Sequence, residues 1–321
     1  MSSLQESVPS PEKQPAVAKD QRMLTGMRDD QAAAIRSSVE RNPVVARLFE
    51  RDGRTTEHMQ KLLSLFGIEG CGTVEQVRDA TQRQWYQAGK LRAEIIEHHA
   101  EHREQALSLL RQMGFFDAVH AESRRYEEAS VLGATVVAVR KRLAFLMQEW
   151  ERGVRFSRLS FLGSARPLLK DKESEAVLLN PHNAELPFPD GWTPEAALPS
   201  NEAEMMRMVL EQAEAADTPW RGENIVTDVF CSQPRQGRNA NTADTLRDLQ
   251  AARRTAKGDI VLVSSQPFVP FQDVLARNTL PFDCRIITVG PAGGDALPIS
   301  VHLDNLAKIV YEIAARNDRK E

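Results

Sequence analysis

The chain of 321 residues carries 41 Lys and Arg against 45 Asp and Glu, which gives a formal net charge of -4 at pH 7. This acidic balance disfavours nucleic acid and anionic membranes as partners, and no apolar run approaches the ~20 residues of a transmembrane helix. Three cysteines (Cys71, Cys231 and Cys284) lie far apart without metal-ligand spacing, as is usual in a reducing compartment. We therefore expect a cytoplasmic protein with no nucleic-acid or membrane partner.

Residues 1–22 are rich in Ser, Gln, Pro and charged side chains and offer little apolar surface to bury. This composition predicts a disordered tail, and the stretch lacks the apolar core of a cleaved secretory signal. The simplest interpretation is a frayed terminus. The alternative is a non-cleaved export signal, in which case the protein is exported instead of cytoplasmic.

From residue 23 to residue 120, apolar residues recur at steps of three and four, which predicts an all-α region. Thr73 and Gln76 have the spacing of a capping box at the start of one helix. Residues 82–113 predict one long helix or two, ended by Gly114. The region forms either a separate lobe or a helical cover on the sheet.

Two histidines of this region, His98 and His102, are four residues apart, which is the spacing of zinc ligands on one face of a helix. Their neighbours are a mixture of Glu and Arg that is typical of a solvated helix face. A plain exposed helix is the better interpretation, so no metal site is predicted.

Residues 121–321 alternate short apolar strands with amphipathic helices, which predicts one α/β domain. The predicted strands cover residues 129–132, 158–162, 224–230, 259–263 and 284–289, and a helix follows each of them. Strands joined through helices require a parallel sheet with right-handed crossovers. The fold class is therefore a Rossmann-like parallel sheet of about five strands with helices on both faces, preceded by the all-α region.

One segment of this domain, residues 170–200, is irregular and rich in proline. A loop of this length inside a compact domain is usually functional or disordered. Because it leaves the carboxyl end of the second strand, it forms either a lid over a ligand or a surface excursion without a role.

The predicted strands end in glycine or in small polar residues, and ligands bind at the carboxyl ends of such strands. Glycine lets a ligand approach the backbone, while the helix N-termini that follow supply free N–H groups and partial positive charge. We therefore predict a site there for the anionic group of a small molecule. The expected binding residues with backbone or neutral side-chain contacts are Gly133, Thr135, Gly163, Ser164, Asn241, Thr242, Ser264, Ser265 and Gln266.

Charged residues near these strand ends have separate expected roles. Arg142 and Arg166 are expected to neutralise the charge of the ligand, and Glu202 to hold a hydroxyl or an amine. If a reaction takes place, Glu202 or Asp244 is the best candidate for a catalytic general base. His302 is a weaker candidate as a base for a serine nucleophile. No dinucleotide fingerprint, phosphate-binding loop or nucleophile elbow is present, so the sequence indicates binding and does not identify a reaction.

The order of the strand-end motifs resembles the bacterial SanA/YdcF/ElyC-like family over residues 129–290, about half of the chain. The matching motifs are Val131-Leu132-Gly133, Arg142-Leu143, Leu162-Gly163-Ser164, Glu202, Asn241-Thr242 and Val263-Ser264-Ser265. The resemblance implies a nucleotide-like ligand such as S-adenosylmethionine. The chain departs from the family in having Gln266-Pro267-Phe268 where a histidine is common, and Asp244-Thr245 in place of Glu-Asn.

The sequence thus supports two functions of different classes. The first is a small-molecule-binding α/β protein, with or without enzymatic activity. The second is an interaction protein or exported effector that binds a protein partner through its helical N-terminal region, with the sheet as a scaffold.

Overall fold

The computed structural model describes residues 33, 35–90, 92–195, 197–253, 258–280 and 285–315. The predictions for residues 1–22, for residues 254–256 and for Cys284 fall outside these ranges. The strands are β1 (Arg125–Leu132), β2 (Arg155–Ser164), β3 (Val226–Ser232), β4 (Ile260–Val263) and β5 (Ile286–Val289). The helices are α1 (residues 35–41), α2 (Val45–Leu48), α3 (Glu57–Leu65), α4 (Val74–Gln84), α5 (Arg103–Gln112), α6 (Val136–Glu151), α7 (Glu175–Leu178), α8 (Glu202–Ala215), α9 (Thr242–Ala252), α10 (Val269–Thr279) and α11 (Ile299–Ala315).

Within the described residues the five strands form one parallel sheet in the order β3-β2-β1-β4-β5. The chain moves outward from β1 to β3 on one side and then returns to place β4 on the other side of β1. The strand order therefore reverses between β1 and β4, which is the topological switch point where open α/β sheets bind ligands. The predicted Rossmann-like α/β fold is confirmed.

Helices cover both faces of the sheet. Phe161 and Leu162 are neighbours in β2, but they belong to different hydrophobic clusters because successive side chains of a strand point to opposite faces. Phe161 shares its cluster with Leu143 of α6 and Met206 of α8, whereas Leu162 shares its cluster with Leu246 of α9. The apolar sides of these helices, together with that of α10, close the core on both faces.

The helical region shares one hydrophobic core with α10 and α11. Leu62 of α3 and Leu110 of α5 are fully buried in it, together with Leu303 and Leu306 of α11. The shared core rules out a separate lobe, but the region covers α10 and α11 and does not cover the sheet directly, since none of the described strand residues belongs to this cluster. No helix in the described ranges, α11 included, has the length and apolar content needed to cross a membrane.

The prediction of one long helix or two over residues 82–113 holds only for the two ends of this stretch and is wrong for its middle. α4 ends at Gln84 and α5 begins at Arg103, and the connection holds two short 3-10 turns, Arg92–Glu94 and Ala100–His102. Gly89 adopts a left-handed φ of 74°, which an α-helix does not continue. The Glu97 carboxylate accepts the N–H groups of Ile299 (2.6 Å) and Ser300 (3.3 Å) at the start of α11. Tertiary contacts thus replace helical hydrogen bonds here.

As a result, His98 and His102 do not share an α-helical face. His98 precedes the second 3-10 turn, and the ring of His102 packs edge-on against Phe66 at a centroid distance of 5.4 Å. No cluster of three or more potential metal ligands occurs among the residues that the structure describes.

Candidate functional site

The carboxyl ends of β1 and β4 lie side by side where the strand order reverses. β1 runs into Gly133, whose N–H donates to the carbonyl oxygen of Leu162 at 3.0 Å, and β4 runs into Ser264, whose N–H donates to that of Val289 at 2.8 Å. The helices that follow, α6 and α10, pack on opposite faces of the sheet, which is the arrangement in which open α/β sheets place a ligand cleft between two strand ends. We call this cleft the β1/β4 crevice and define it by Gly133, Thr135, Arg142, Ser264 and Ser265.

Arg142 of α6 is a buried cation in this crevice, with 2% of its surface exposed. Its Nη1 donates to the carbonyl oxygens of Leu132 (2.7 Å) and Gly133 (2.9 Å), and its Nη2 lies 3.4 Å from the hydroxyl of Ser265. Among the described residues its Nε has no partner, and its guanidinium forms no ion pair. Burial, and after it the nearby positive charge of Arg92, lowers the pKa of Arg142 to about 9, although the charge of Glu202 acts to raise it, so Arg142 stays charged at neutral pH.

The two helices that begin beside the crevice, α6 and α10, have bare N-termini. The N-cap residues Thr135 and Phe268 make no side-chain capping bond, and neither first turn holds an acidic residue. By contrast, α8 and α9 are capped by the side chains of Asn201 and Asn241 and have acidic residues in their first turns. The uncapped N–H groups and the helix dipoles therefore add positive potential at the crevice.

Ser264 lies at the end of β4 and is fully buried. Its hydroxyl has no hydrogen-bond partner among the described residues, although buried polar groups are nearly always paired. Ser265 follows it, and the backbone oxygen of Ser265 accepts the N–H of Phe268 at 2.9 Å. The two predicted serines thus lie in the crevice with Arg142, and one of them has free hydrogen-bonding capacity.

Gln266 joins the crevice to the helical region. Its amide nitrogen donates to the carbonyl oxygens of Gly114 (3.1 Å) and Asp117 (2.9 Å), which follow α5. Its side-chain oxygen is buried without a partner among the described residues. The nitrogen therefore has an anchoring role, and the oxygen alone is left for the predicted ligand contact.

A second cluster of charged residues lies at the carboxyl end of β2, next to the crevice. Arg166 pairs with Glu173 at 3.1 and 3.2 Å and with Glu202 at 3.5 Å. Burial disfavours the charge, but these two carboxylates outweigh it and raise the pKa of Arg166. The sequence predicts that Arg142 and Arg166 both neutralise the charge of a ligand. In the structure the two differ, because the charge of Arg166 is already balanced by carboxylates of the protein.

Glu202 lies between the ends of β1 and β2. Its Oε2 accepts the N–H (3.0 Å) and the hydroxyl (2.6 Å) of Ser164, and a Cβ placed on Gly133 would lie 2.9 Å from its carboxylate carbon. Burial raises the pKa of Glu202, although Ser164 and Arg166 act in the opposite direction. A raised pKa suits a general base, but these partners occupy most of the carboxylate, so its catalytic role stays a prediction.

The glycine predicted at the end of β2 has a packing role. A Cβ on Gly163 would lie 2.8 Å from the Cα atom of Ala203 and 3.0 Å from the sulfur of Met206. Real side chains do not approach a backbone so closely, so glycine is needed at this position for α8 to pack against β2. This contact accounts for Gly163 without a ligand.

Asn241, Thr242 and Asp244 lie at the start of α9, which follows the edge strand β3. Asn241 and Asp244 form a capping box, and Arg238 donates to Asp244 at 2.6 Å. Burial acts to raise the pKa of Asp244, but the bonds from Arg238 and from the N–H of Asn241 outweigh it and lower the pKa. The sheet order separates this group from the crevice by β2, and the lowered pKa makes Asp244 a weak base.

The irregular segment 170–200 packs onto α6 and α8. Arg140 of α6 donates to the carbonyl oxygens of Val177 (3.0 Å) and Leu178 (2.7 Å) and to the side chain of Gln212 (2.8 Å). Leu178 and Leu186 belong to the same hydrophobic cluster as these two helices. These contacts give the segment a packing role on one face of the sheet.

One residue beside the crevice, Arg92, was missed by the sequence analysis. Its guanidinium carbon lies 3.5 Å from the ring centroid of Phe268, the residue that precedes α10. Periodicity placed Arg92 inside a long exposed helix, and its neighbours carry no signal of a site. Only the packing of the connection between α4 and α5 brings it to the strand ends.

Comparison of the chain with protein-family models, with curated proteins and with solved structures finds no match. The assignment of a function therefore depends on the geometry of the described residues. In the structure the crevice residues lie together, and the charged cluster of Ser164, Arg166 and Glu202 lies beside them. Asn241, Thr242 and Asp244 follow β3 and are separated from the crevice by β2.

Proposed function

We propose that this protein binds a small molecule with an anionic or nucleotide-like part in the β1/β4 crevice. The observation that carries this proposal is the buried Arg142 guanidinium, which forms no ion pair among the described residues and lies beside the bare N-termini of α6 and α10. A buried charge without a counter-ion is costly, typically by several kcal/mol. An anionic ligand supplies that counter-ion and accepts N–H groups from both helices.

The cluster beside the crevice indicates what else the ligand carries. Glu202 and Ser164 are acceptor and hydroxyl groups next to Gly133, and they suit a hydroxyl or an amine of the ligand. S-adenosylmethionine, which the family resemblance implies, has a carboxylate, an amine and ribose hydroxyls, so its chemistry matches this distribution. Whether the bound molecule also reacts is a separate question, for which Glu202 is the candidate base.

The test of this proposal is a calorimetric titration of anionic ligands, nucleotides and S-adenosylmethionine into the parent protein and two variants of the crevice cation. Arg142→Met removes the charge at similar side-chain length, and Arg142→Lys keeps the charge but loses the planar fork. We expect the Met variant to lose at least about 1.5 kcal/mol of binding free energy, roughly tenfold or more, and the Lys variant to lose less. The control is Arg207→Gln, an exposed arginine on α8.

Circular dichroism must show that the Met variant is folded, since Arg142 also satisfies two backbone carbonyls. A folded Met variant that binds as tightly as the parent protein contradicts the proposed function. No binding of any member of the panel to the parent protein contradicts it as well, and favours the alternative in which the helical region binds a protein partner.

A further inference from the structure

The crevice is bordered by a second cation that comes from the helical region. Arg92 stacks on Phe268, the N–H of Phe268 donates to the backbone oxygen of Ser265, and the hydroxyl of Ser265 contacts Arg142. Ser265 and Phe268 therefore link the two arginines by contacts. Arg92 keeps solvent-exposed surface and forms no ion pair among the described residues, and the burial of its guanidinium lowers its pKa to about 10, so it stays charged. The acidic residue that faces it, Asp304, is already paired with Lys308 at 2.5 Å.

The position of Arg92 is fixed by packing. Ile95 and Val301 form a small hydrophobic cluster with Phe268, which holds the first 3-10 turn against α10 and α11. Glu97, five residues further on, accepts N–H groups at the start of α11 and pairs with Arg103 at 3.4 Å. The stacked guanidinium is thus held at the crevice, and little side-chain entropy is left to lose on binding.

Two like charges near one another disfavour each other, and the proximity of Arg92 contributes to the lowered pKa of Arg142. No acidic residue lies in the first turn of α6 or α10, and Glu202, whose charge acts to raise the pKa of Arg142, is paired with Arg166. The buried hydroxyl of Ser264 adds a donor without a partner among the described residues. The crevice thus has more positive charge and more hydrogen-bond donors than a single carboxylate can balance. It matches a ligand group with several oxygens and more than one negative charge.

We propose that the crevice takes a phosphate-bearing ligand and that Arg92 of the helical region binds the phosphate together with Arg142. This inference rests on the proposed function and narrows it to phosphate or diphosphate chemistry, which S-adenosylmethionine lacks, so it favours a phosphorylated ligand over S-adenosylmethionine. It also gives the helical region a role as one wall of the site. Guanidinium groups bind phosphate oxygens through paired N–H bonds, and the free N–H groups of two helix N-termini do the same.

The test is calorimetric titration of inorganic pyrophosphate, inorganic phosphate and acetate at pH 7.5 and constant ionic strength. The variant is Arg92→Gln, which is expected to fold because Arg92 is exposed and bonded to no backbone group of the described residues. The matched control is Arg83→Gln, which removes the same charge from an exposed position on α4. Arg142→Met serves as the reference for loss of the crevice itself.

We expect the parent protein to bind pyrophosphate more tightly than phosphate, and acetate weakly. Arg92→Gln should weaken pyrophosphate by at least about tenfold, as expected for a charged hydrogen bond, while Arg83→Gln changes it less than about twofold. Pyrophosphate affinity that is equal in Arg92→Gln and in the parent protein overturns the inference but leaves the proposed function standing. A parent protein that binds carboxylate ligands through Arg142 but not pyrophosphate also overturns the inference and leaves the proposed function standing.

Discussion

At the carboxyl end of β1, Arg142 donates to the carbonyl oxygen of Gly133, and a Cβ on Gly133 would lie 2.9 Å from the carboxylate carbon of Glu202. The charges of Arg142 and Glu202 have different surroundings. Glu202 is paired with Arg166, whereas Arg142 has carbonyl oxygens and a hydroxyl around it. The sequence assigned the same role to Arg142 and Arg166, because both follow strand ends. The difference comes from Glu173, which pairs with Arg166 and lies in a segment without regular periodicity. Such an ion pair leaves no signal in a sequence.

His302, which lies away from the crevice, allows a test of how burial changes the pKa of an ionisable side chain. Its ring stacks on Phe116 at a centroid distance of 5.3 Å, it is 1% exposed, and neither ring nitrogen has a partner among the described residues. It accepts no bond from Ser264 or Ser265 there, so the geometry does not support it as their base. Burial, and after it the charge of Arg103, lowers the pKa of His302 to about 4, although Asp295 and Glu97 act to raise it.

Because this pKa is below that of the unfolded chain, the unfolded state binds the extra proton between about pH 6.5 and pH 4. Stability is therefore lost as the pH falls through that window, by up to about 3 kcal/mol. The variant His302→Phe should be at least as stable at pH 7 and should lose less stability at pH 4.5, as measured by urea unfolding. His182→Gln, at an exposed position, is the control. An equal pH dependence in His302→Phe and the parent protein contradicts the burial argument.

At the scale of the elements, the ends of β4 and β5 approach each other closely beside the crevice. Gly290 follows β5, and a Cβ there would lie 2.6 Å from the backbone oxygen of Ser264 and 2.9 Å from Val269. Glycine is thus required at position 290 because the ends of the two strands approach each other closely. From the sequence, Gly290 is predictable only as a turn residue. The predicted strands themselves were found close to their expected positions, since each carries a short apolar run of its own.

Gly290→Ala should push β5 away from the end of β4. We expect a loss of about 1–3 kcal/mol of unfolding free energy, because backbone must move to admit the methyl group. Gly294→Ala is the matched control, since a Cβ there meets nothing within 4 Å, and it should change stability by less than about 0.5 kcal/mol. Chemical denaturation of both variants measures the difference. Equal stability of the two variants would show that the strand ends are more loosely packed than described.

The connection between α4 and α5 shows why the local sequence pattern does not predict every element correctly. Residues 85–102 have the composition of a helix, but Gly89 turns the chain, and the residues after it are fixed by α10 and α11. Arg92 reaches the crevice only through these contacts. The strand-end residues of the site were predictable because a parallel sheet brings carboxyl ends together, whereas a residue delivered by a distant loop was not.

At the scale of the whole molecule, the helical region and the α/β domain are joined through α11. The buried residues of α3 and α5 lie in the same hydrophobic cluster as Leu303 and Leu306 of α11. The apolar side of α11 therefore packs against the helical region as well as against the α/β domain. The domain division that the sequence suggests near residue 120 therefore does not coincide with a division of the hydrophobic core. Stability of the two parts should be cooperative.

A fragment of residues 121–321 tests this cooperativity. We expect it to aggregate or to melt far below the full chain, because it exposes the apolar face of α11. Thermal unfolding of fragment and full chain, followed by circular dichroism and by size-exclusion chromatography, gives the comparison. The full chain should unfold in one transition. A monomeric fragment with the melting temperature of the full chain would show that the α/β domain is independent.

The cap that Glu97 provides for α11 has a consequence for synthesis on the ribosome. The carboxylate and the helix start that it satisfies are 202 residues apart in the chain. Helices α3 and α5 are synthesised well before α11 and bury their apolar sides against it, so their final packing waits until α11 leaves the exit tunnel. During translation these early helices therefore expose apolar surface, and a nascent chain of this protein should be a client for chaperones that hold unfinished domains.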